Sequence, residues 1–546
     1  MKKCVIGIDF GTLSGRAVLI DTENGKQLAE STLEYPHAVI DTTLPSGLKL
    51  GEGFALQAPE DYIEVLKTVI PNVMKSSGIS AKEVVGVGVD FTTCTIIPTD
   101  ENLTPLSFKE EFKNEPYAYA RLWKHPSAQE EADEITELAK RRGEKWIKRY
   151  GGKLSNQFAL PKILETLRKA PLVYDAAKRF IEGGDFITYI LTGEEKHAQA
   201  FVGYKACWNE ESGYPSDDFM CELDPRLSGI FGTKLSDKIS PVSEIAGRVC
   251  NYGAELTGLE VGTPVALAVP DAHCALPALN VTDEDEMLLV LGTSACQIIN
   301  SKIKYDVEGI FGYVKDGIYP GYYTYEAGQC STGDIFSWFV KNYIPSGYEN
   351  EAKARGISIH KLLREKAERL SPGESGLIAL DWVGGNRNVL SDSDLRGMIL
   401  GMSLHTKPEE IYRAWIEATA FGAKIIMENY ENSGLIIKKI CAAGGIAVKD
   451  PFLMQIYADV LEKNIRVAAT TQAAALGSAI YASVAAGIFK NAIVAAKKLA
   501  PPSTVSYTPK KENSEIYRKL YEEYKILHDY FGRGQNEVMK RLGKLK

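Results

Sequence analysis

The chain opens with two short apolar runs that predict a β-hairpin. Residues 4–9 and 16–21 are strongly apolar, and a Gly-Thr turn separates them. Runs of this length bounded by turn residues are typical of buried strands. A helix is predicted over 59–74, where apolar residues recur at helical spacing, and a further strand over 84–90. This β–β–α–β order predicts an α/β domain.

The same strand–turn–strand pattern returns in the second half of the chain. The apolar run 287–291 leads into Gly292 and Thr293, and a second run covers 296–300. Two such hairpins far apart in sequence indicate two related halves. A length of 546 residues also calls for at least two domains, because single hydrophobic cores stop growing well below this size.

The remaining pattern predicts where the two domains meet. Residues 128–192 look mostly helical, and a strand at 264–269 comes just before the second hairpin. We therefore place the boundary near residue 275, with domains over 1–275 and 276–546. Further elements predicted in the second domain are a helix over 407–432, a strand over 439–443, a helix from 451 and a charged, solvated helical tail over 512–546.

The two hairpins are candidate phosphate-binding sites. Gly11 and Gly292 let backbone amides approach an anion closely, and Thr12 and Thr293 add hydroxyl donors. Asp9 ends the first strand, where its carboxylate could hold a hydrated divalent cation beside the phosphates. One such hairpin is usually only a tight turn, but the pair indicates a nucleotide held between two halves. No G-x-x-x-x-G-K-[ST] occurs, so this is not a Walker loop.

Phosphoryl transfer from ATP also needs a base for the attacking hydroxyl, and Asp271 is the candidate. It follows an apolar strand at the predicted mouth of the interdomain cleft. Alone, an Asp there is as readily a helix N-cap; beside two phosphate hairpins we interpret it as the base. His273 is another candidate for the base, but we favour the interpretation that its ring is packed or hydrogen-bonded in the protein. Asp90 ends another strand before several threonines, which suit either sugar recognition or turn capping.

Composition and charge limit the kinds of binding partner and the cellular compartment that we expect for this protein. The formal net charge of −8 argues against a nucleic-acid partner. The nine cysteines form no C-x-x-C pair, so neither a zinc site nor a disulfide framework is expected. No stretch has the length of a membrane span and the start lacks the apolar core of a signal peptide. We therefore expect no membrane partner and a cytoplasmic location.

Several motifs resemble those of the FGGY carbohydrate kinases. The family's two phosphate motifs resemble 8–12 and 291–294, its adenosine motif resembles 443–447, and its signature resembles 397–402 together with 410–417. Matching stretches run from residue 6 to about residue 488. The resemblance implies two actin-like (ribonuclease H-like) domains around a central cleft, with ATP and Mg²⁺ as cofactors and a small sugar as substrate.

The resemblance also implies roles for single residues around the nucleotide. Gly333, Gly444 and Gly445 correspond to positions near the ATP, in addition to the two hairpins. Lys449 stands where many relatives have Asn or Ser, which leaves its contact with the adenine open.

Three shorter stretches resemble the family members that phosphorylate L-ribulose, and these are 122–124, 203–205 and 326–329. This implies that Thr93, Lys205 and Glu326 bind the pentulose and that Asp271 removes the proton from its terminal hydroxyl. The residues alone leave other interpretations, because a lysine is most often solvated and Glu326 could simply pair with Lys205.

The expected function is therefore ATP-dependent phosphorylation of L-ribulose. Two alternatives stay open: a kinase of another pentulose, D-ribulose or xylulose, and an actin-like ATPase or sugar sensor without transfer. A homodimer is also left open.

Overall fold

A computed structural model describes residues 2–51, 53–468, 470, 472–503 and 505–545. Met1 and Lys546, the outer ends of the predicted domains, lie outside the described residues. The strands are β1 (Cys4–Phe10), β2 (Ser14–Asp21), β3 (Gln27–Glu34), β4 (Leu56–Gln57), β5 (Val84–Phe91), β6 (Ile96–Thr99), β7 (Ala120–Arg121), β8 (Arg179–Glu182), β9 (His197–Ala198), β10 (Ile239–Ser240), β11 (Ile245–Arg248), β12 (Pro264–Ala266), β13 (Val269–Pro270), β14 (Glu286–Leu291), β15 (Ala295–Ser301), β16 (Gly312–Lys315), β17 (Tyr323–Gln329), β18 (Ile378–Leu380), β19 (Met398–Leu400), β20 (Lys439–Ala443), β21 (Asn464–Val467) and β22 (Val505–Tyr507).

The helices are α1 (Pro59–Ser77), α2 (Gln129–Arg142), α3 (Ala159–Lys169), α4 (Pro171–Ala176), α5 (Gly183–Thr192), α6 (Gln199–Lys205), α7 (Asp217–Leu223), α8 (Ile230–Thr233), α9 (Asn251–Thr257), α10 (Asp271–Ala278), α11 (Gly333–Tyr343), α12 (Ser346–Ala354), α13 (Ile359–Ala367), α14 (Pro408–Asn432), α15 (Gly445–Lys449), α16 (Pro451–Leu461), α17 (Ala473–Ala485), α18 (Ala492–Leu499), α19 (Lys511–Gly532) and α20 (Val538–Gly543). Short 3-10 helices cover Ala81–Glu83, Leu106–Phe108, Glu110–Phe112, Pro116–Ala118, Lys145–Tyr150, Pro225–Leu227 and Trp382–Gly384.

Two large sheets share one plan. The first sheet has the order β11-β12-β5-β1-β2-β3, and β13 also pairs with β5. Here β1, β2 and β3 are antiparallel, whereas β5 runs parallel to β1. The second sheet has the order β16-β17-β15-β14-β20-β21-β22. Its strands β14, β15 and β17 are antiparallel and β20 runs parallel to β14. The predicted pair of related α/β halves is therefore present.

Apolar periodicity explains why the first elements form. Every residue of β1 is buried, as its continuous apolar run requires. Helix α1 has Pro59 at its first position, where the missing amide costs nothing, and ends at Gly78 with φ of 70°. Its buried face includes Tyr62 and Val69, which pack in the core below the first sheet.

Two helices join the sheets. Helix α17 belongs to the C-terminal half but packs on the first sheet, where glycines leave no room for side chains. A Cβ at Gly7 would lie 1.9 Å from the carbonyl oxygen of Ala475, and one at Gly88 would lie 2.0 Å from that of Ser478. Helix α10 packs just as closely on α17. A single apolar cluster contains residues of α10, α17 and both sheets.

The predicted elements differ from the structure in two places before the second sheet. The strand predicted over 264–269 is split into β12 and β13, because Val265 pairs with Val87 but Val269 pairs with Asp90. One extra residue therefore lies on this strand, as in a β-bulge. The mostly helical stretch 128–192 is also interrupted by β8.

The charged tail is only partly solvated. Helix α19 exposes its charged side chains, but Tyr517, Tyr521 and Tyr524 on its other face are buried in the core of the C-terminal half. The tyrosines recur at intervals of three and four residues, which is helical spacing. The prediction of a solvated tail is therefore wrong for this face.

Two further observations concern membrane-spanning helices and the domain boundary. Among the described residues, no helix combines the length and the apolar character needed to cross a bilayer. Residue 275, near which we placed the domain boundary, lies inside α10. The boundary itself stays a prediction.

We predict that Gly88→Ala destabilises the protein, because the new methyl group would overlap the backbone of α17. Overpacking of this kind costs about 1–3 kcal/mol, and more where backbone must move. Gly347→Ala is the matched control, since nothing lies within 4 Å of a Cβ there. Thermal unfolding followed by circular dichroism should give a lower midpoint for Gly88→Ala alone. Equal midpoints for the two variants would contradict the close-packing argument.

Candidate active site

A cavity of about 640 Å³ lies between the two halves, and both hairpins open onto it. It is lined by nearly all residues proposed from the sequence. These are Asp9, Gly11, Thr12, Thr93, Lys205, Asp271, Gly292, Thr293, Glu326, Gly444 and Gly445. Gly333 lies instead in an adjoining cavity of about 570 Å³, which shares Gly292, Thr293, Gly445 and Lys449 with the first.

Each hairpin turn is closed by a backbone hydrogen bond from its glycine, to the third residue along the chain in the first turn and to the second in the other. The amide of Gly11 donates to the carbonyl of Ser14 at 3.0 Å, and the amide of Gly292 donates to that of Ser294 at 3.0 Å. Thr12 is held from the other side, because the indole nitrogen of Trp123 donates to its hydroxyl at 3.2 Å. These contacts fix the turns, and the glycines leave room for an anion to approach Thr12 and Thr293.

The adjoining cavity is shaped by glycines. Gly444 has φ of 95°, and a Cβ there would lie 2.2 Å from the carbonyl oxygen of Leu291. Gly333 opens α11, and its amide donates to the carbonyl of Gly292 at 3.0 Å. The second hairpin, the diglycine and the start of α11 therefore surround one space. Lys449, whose role the sequence left open, lines both cavities.

Two carboxylates lie side by side at the floor of the cleft. Asp9 and Asp90 are partners on the parallel strands β1 and β5. Arg16 Nε lies 3.1 Å from Asp9 Oδ2, and the hydroxyl of Ser478 donates to Asp90 Oδ2 at 2.6 Å. Burial raises the pKa of both acids, and the charge of Asp9 raises the pKa of Asp90 further. Two buried acids this close favour holding a proton between them, and a bound cation would favour the doubly ionised form instead.

Asp271 is the first residue of α10. Its Oδ1 accepts a hydrogen bond from the amide of Ala272 at 2.8 Å. Burial, reinforced by the negative charge of Asp9, raises the pKa of Asp271 to about 7. A carboxylate with a pKa near the working pH accepts a proton far more readily than an ordinary aspartate.

Lys205 and Glu326 form a buried ion pair that joins the two halves. Lys205 Nζ, at the end of α6, lies 3.1 Å from Oε2 of Glu326 on β17. Lys205 is only 2% exposed, so the solvated interpretation of this lysine is wrong. Its Nζ also lies 3.8 Å from the centre of the Phe311 ring. Burial works to raise the pKa of Glu326, but Lys205, His273 and Arg387 outweigh it and keep the pKa lowered.

His273 is packed, as expected, rather than placed as a base. Its ring lies 4.5 Å from the ring of Tyr204, and the residue is 1% exposed. Burial lowers the pKa of His273 to about 4, so the imidazole is neutral near pH 7. Its Nε2 lies 3.7 Å from Oε2 of Glu326, behind the Lys205 pair.

Sequence reasoning missed several residues that line the cavity. Arg16, Gln157 and Arg387 all face it, and none was given a role. Arg16 could have been noticed, because it lies opposite Asp9 in the β1–β2 pairing. Arg387 and Gln157 lie in loops without periodic pattern, so only the folded chain brings them here.

The site fits a hydrated divalent cation held mainly by phosphates. Asp9 lines the cavity, and the carboxyl group of Asp90 lies beside it on the neighbouring strand. Within the described residues no cluster of three or more potential metal ligands occurs, so a cage made only of side chains is not what the site offers. Mg²⁺ characteristically binds through one or two carboxylates together with substrate phosphates and water.

Two related α/β halves, each with a strand–turn–strand hairpin that opens onto one cleft, are the architecture of the actin-like class of proteins. Family models described as the N-terminal and C-terminal domains of the FGGY family of carbohydrate kinases match residues 4–277 and 287–486. The chain therefore belongs to the FGGY family of carbohydrate kinases, and it is an ATP-dependent sugar kinase. This confirms the predicted family, enzyme class and use of ATP.

Similar proteins cover the whole chain. A ribulokinase of Bacillus licheniformis is 48% identical over 539 residues, 98% of each chain. A ribulokinase of Halalkalibacterium halodurans is 47% identical over 549 residues, which cover 100% of this chain and 98% of the relative. Among solved structures, a gluconate kinase from Lactobacillus acidophilus has a TM-score of 0.81 at 19% identity, covering 98% of this chain and 99% of that one. That likeness supports the predicted two-domain fold.

We predict that Lys205→Met raises the KM for the sugar and leaves the KM for ATP nearly unchanged. Losing a charge-assisted hydrogen bond to a sugar hydroxyl should cost roughly 10–100-fold in sugar KM. Lys140→Met, at an exposed helix position, is the control. Steady-state kinetics with each substrate varied in turn measures both constants. An unchanged sugar KM would contradict a sugar-binding role for Lys205.

Proposed function

We propose that this kinase phosphorylates L-ribulose at its terminal hydroxyl, giving L-ribulose 5-phosphate and ADP. The observation that carries the proposal is the buried Lys205–Glu326 pair in the same cavity as Asp271 and both phosphate hairpins. The ribulokinase relatives support the choice of a ribulose over other sugars, since they match almost the full chain at 45–48% identity.

The sugar would be held by groups with complementary hydrogen-bonding character. Lys205 only donates, Glu326 only accepts when ionised, and the hydroxyl of Thr93 does both. Sugar hydroxyls can satisfy all three. Binding in a buried pocket makes each of these hydrogen bonds matter, because an unsatisfied buried partner is costly.

Transfer would begin with proton removal by Asp271. The proton of the terminal hydroxyl passes to the Asp271 carboxylate as the hydroxyl oxygen forms a bond to the γ-phosphorus. The bond between the γ-phosphorus and the β–γ bridging oxygen breaks, and ADP leaves with that oxygen. A pKa of Asp271 near 7 suits it to accept the proton in this step.

The nucleotide would span both cavities. Thr12 and Thr293 would offer their amides and hydroxyls to the phosphates, Gly11 and Gly292 would leave room for the phosphates to approach, and Gly333, Gly444 and Gly445 would surround the adenosine. Asp9 would hold Mg²⁺ through water or directly, and Mg²⁺ when bound offsets the charge that develops on the phosphates. Arg16 would position Asp9 through their ion pair.

A panel of pentuloses and polyols, assayed for kcat/KM by ADP release, tests the substrate. L-Ribulose should be preferred over D-ribulose and xylulose. A preference for either of these would support the alternative pentulose kinase instead. ADP release that does not depend on any sugar would be the behaviour of an ATPase or sensor. A homodimer and a cytoplasmic location remain predictions.

Asp271→Asn should lose most of kcat while ATP and sugar still bind. The loss should be roughly 10²–10⁴-fold, because the amide cannot accept the proton. Turnover numbers and calorimetric binding constants for both substrates test this. Near-normal turnover would show that another group takes the proton.

Asp9→Asn should raise the Mg²⁺ concentration needed for half-maximal activity and leave sugar affinity nearly unchanged. The reason is that the carboxylate acts on the metal–phosphate side of the cleft. Activity measured against Mg²⁺ at fixed ATP and sugar gives the first quantity, and sugar titration without nucleotide gives the second. Loss of sugar binding with an intact Mg²⁺ requirement would contradict this role.

A further inference from the structure

Arg387 reaches the cleft from a loop of the C-terminal half. It lines the main cavity and also a smaller one of about 270 Å³ at the edge of the cleft. Its guanidinium carbon lies 5.2 Å from the ring centre of Phe311 and 6.0 Å from that of Trp123. Phe311 is the same ring that Lys205 contacts, so Arg387 is at the sugar end of the site.

The loop around Arg387 is held in place on both sides. Asn388 Oδ1 accepts from the amide of Gly328 at 2.7 Å, and its Nδ2 donates to the carbonyl of Gly309 at 2.9 Å. Asn386 Oδ1 accepts from the amide of Leu390 at 3.1 Å. Both asparagines are buried. The loop is thus attached to β17 two residues beyond Glu326, which fixes the backbone of Arg387 relative to that strand.

The guanidinium has no carboxylate of its own. In the part of the chain that the structure describes, no ion pair involves Arg387. Glu326, whose pKa it helps to lower, is already bonded to Lys205. The other groups that face it include the thiols of Cys296 and Cys330, which are weak acceptors. The guanidinium nitrogens open onto the cavities, where oxygens of a ligand could replace water as their acceptors.

We propose that Arg387 is a sugar-binding residue supplied by the C-terminal half, donating to adjacent hydroxyl oxygens of the acceptor sugar. A guanidinium presents its N–H groups as a planar fork, which suits two neighbouring oxygens. The proposal rests on the sugar-kinase function proposed above and gives the C-terminal half a second sugar contact beside Glu326. Lys205 and Thr93 come from the N-terminal half, whereas Glu326 and Arg387 come from the other.

This arrangement gives the sugar a part in bringing the halves together. A ligand that bonds to both halves favours the arrangement in which both sets of contacts are made. The hairpins of both halves open onto the same cavity in the structure, so this arrangement also suits the phosphates. Sugar bound through Arg387 would therefore prepare the cleft for transfer and help to exclude water.

Arg387→Gln tests the proposal. The sugar KM should rise roughly 10–100-fold, and the KM for ATP should change less than about two-fold. Arg387→Lys should not restore the sugar KM, because an ammonium cannot donate as a fork. Arg396→Gln is the matched control, since that guanidinium donates to the backbone carbonyl of Ser393 on the surface and lines neither cavity. It should behave as the unmodified enzyme.

Protection of arginines from chemical modification is a second test. It uses the unmodified enzyme and so does not depend on whether a variant folds. Phenylglyoxal modifies arginines, and mass spectrometry reports each site separately. L-Ribulose without nucleotide should slow modification of Arg387 but not of Arg396. A non-hydrolysable ATP analogue without sugar should protect Arg387 much less.

The outcomes separate this proposal from the proposed function. A normal sugar KM in Arg387→Gln, or modification of Arg387 that sugar leaves unchanged, overturns it. A fall in kcat alone also overturns it and assigns the guanidinium to the transferred phosphoryl group. If the unmodified enzyme rejects pentuloses, the proposed substrate fails, and the Arg387 comparison is made with the sugar that the enzyme does accept.

Discussion

The structure depends on the close packing of α17 against the first sheet. Glycines on β1 and β5 let the backbone of this helix approach the strands at a distance that no side chain would allow. The same helix packs on α10, whose first residue is Asp271. Since α17 also begins beside the hairpin of β1 and β2, this packing fixes the position of Asp271 relative to the first hairpin turn.

Burial and charge act against each other in the cleft. Asp9, Asp90 and Asp271 lie close enough together to influence one another, and desolvation raises the pKa of each. Lys205 and Glu326 instead form an ion pair between the two halves, so their charges cancel. The acidic side of the cleft therefore differs in charge from the side that carries the Lys205–Glu326 pair. The acidic side suits cations and proton transfer, and the side with the ion pair suits a neutral polyol with many hydroxyls.

Much of this site could be predicted from the sequence, because its turns are local. The hairpins at Gly11 and Gly292 and the diglycine at Gly444 each depend on a few consecutive residues. Contacts between residues that are far apart in sequence could not be predicted in this way. Arg387 has no periodic context, and the interrupted strand near Asp271 depends on register against β5. The buried tyrosines of α19 had a helical period that the many charges around them obscured.

The packing of α17 on the first sheet has a consequence for synthesis of the chain. One face of the first sheet is covered by α17, which comes near the end of the sequence. The N-terminal half therefore leaves the ribosome with that face bare and must wait until most of the polypeptide exists. Exposed strands in such an intermediate invite aggregation. The nascent chain is thus a natural client for chaperones that shield apolar surface during translation.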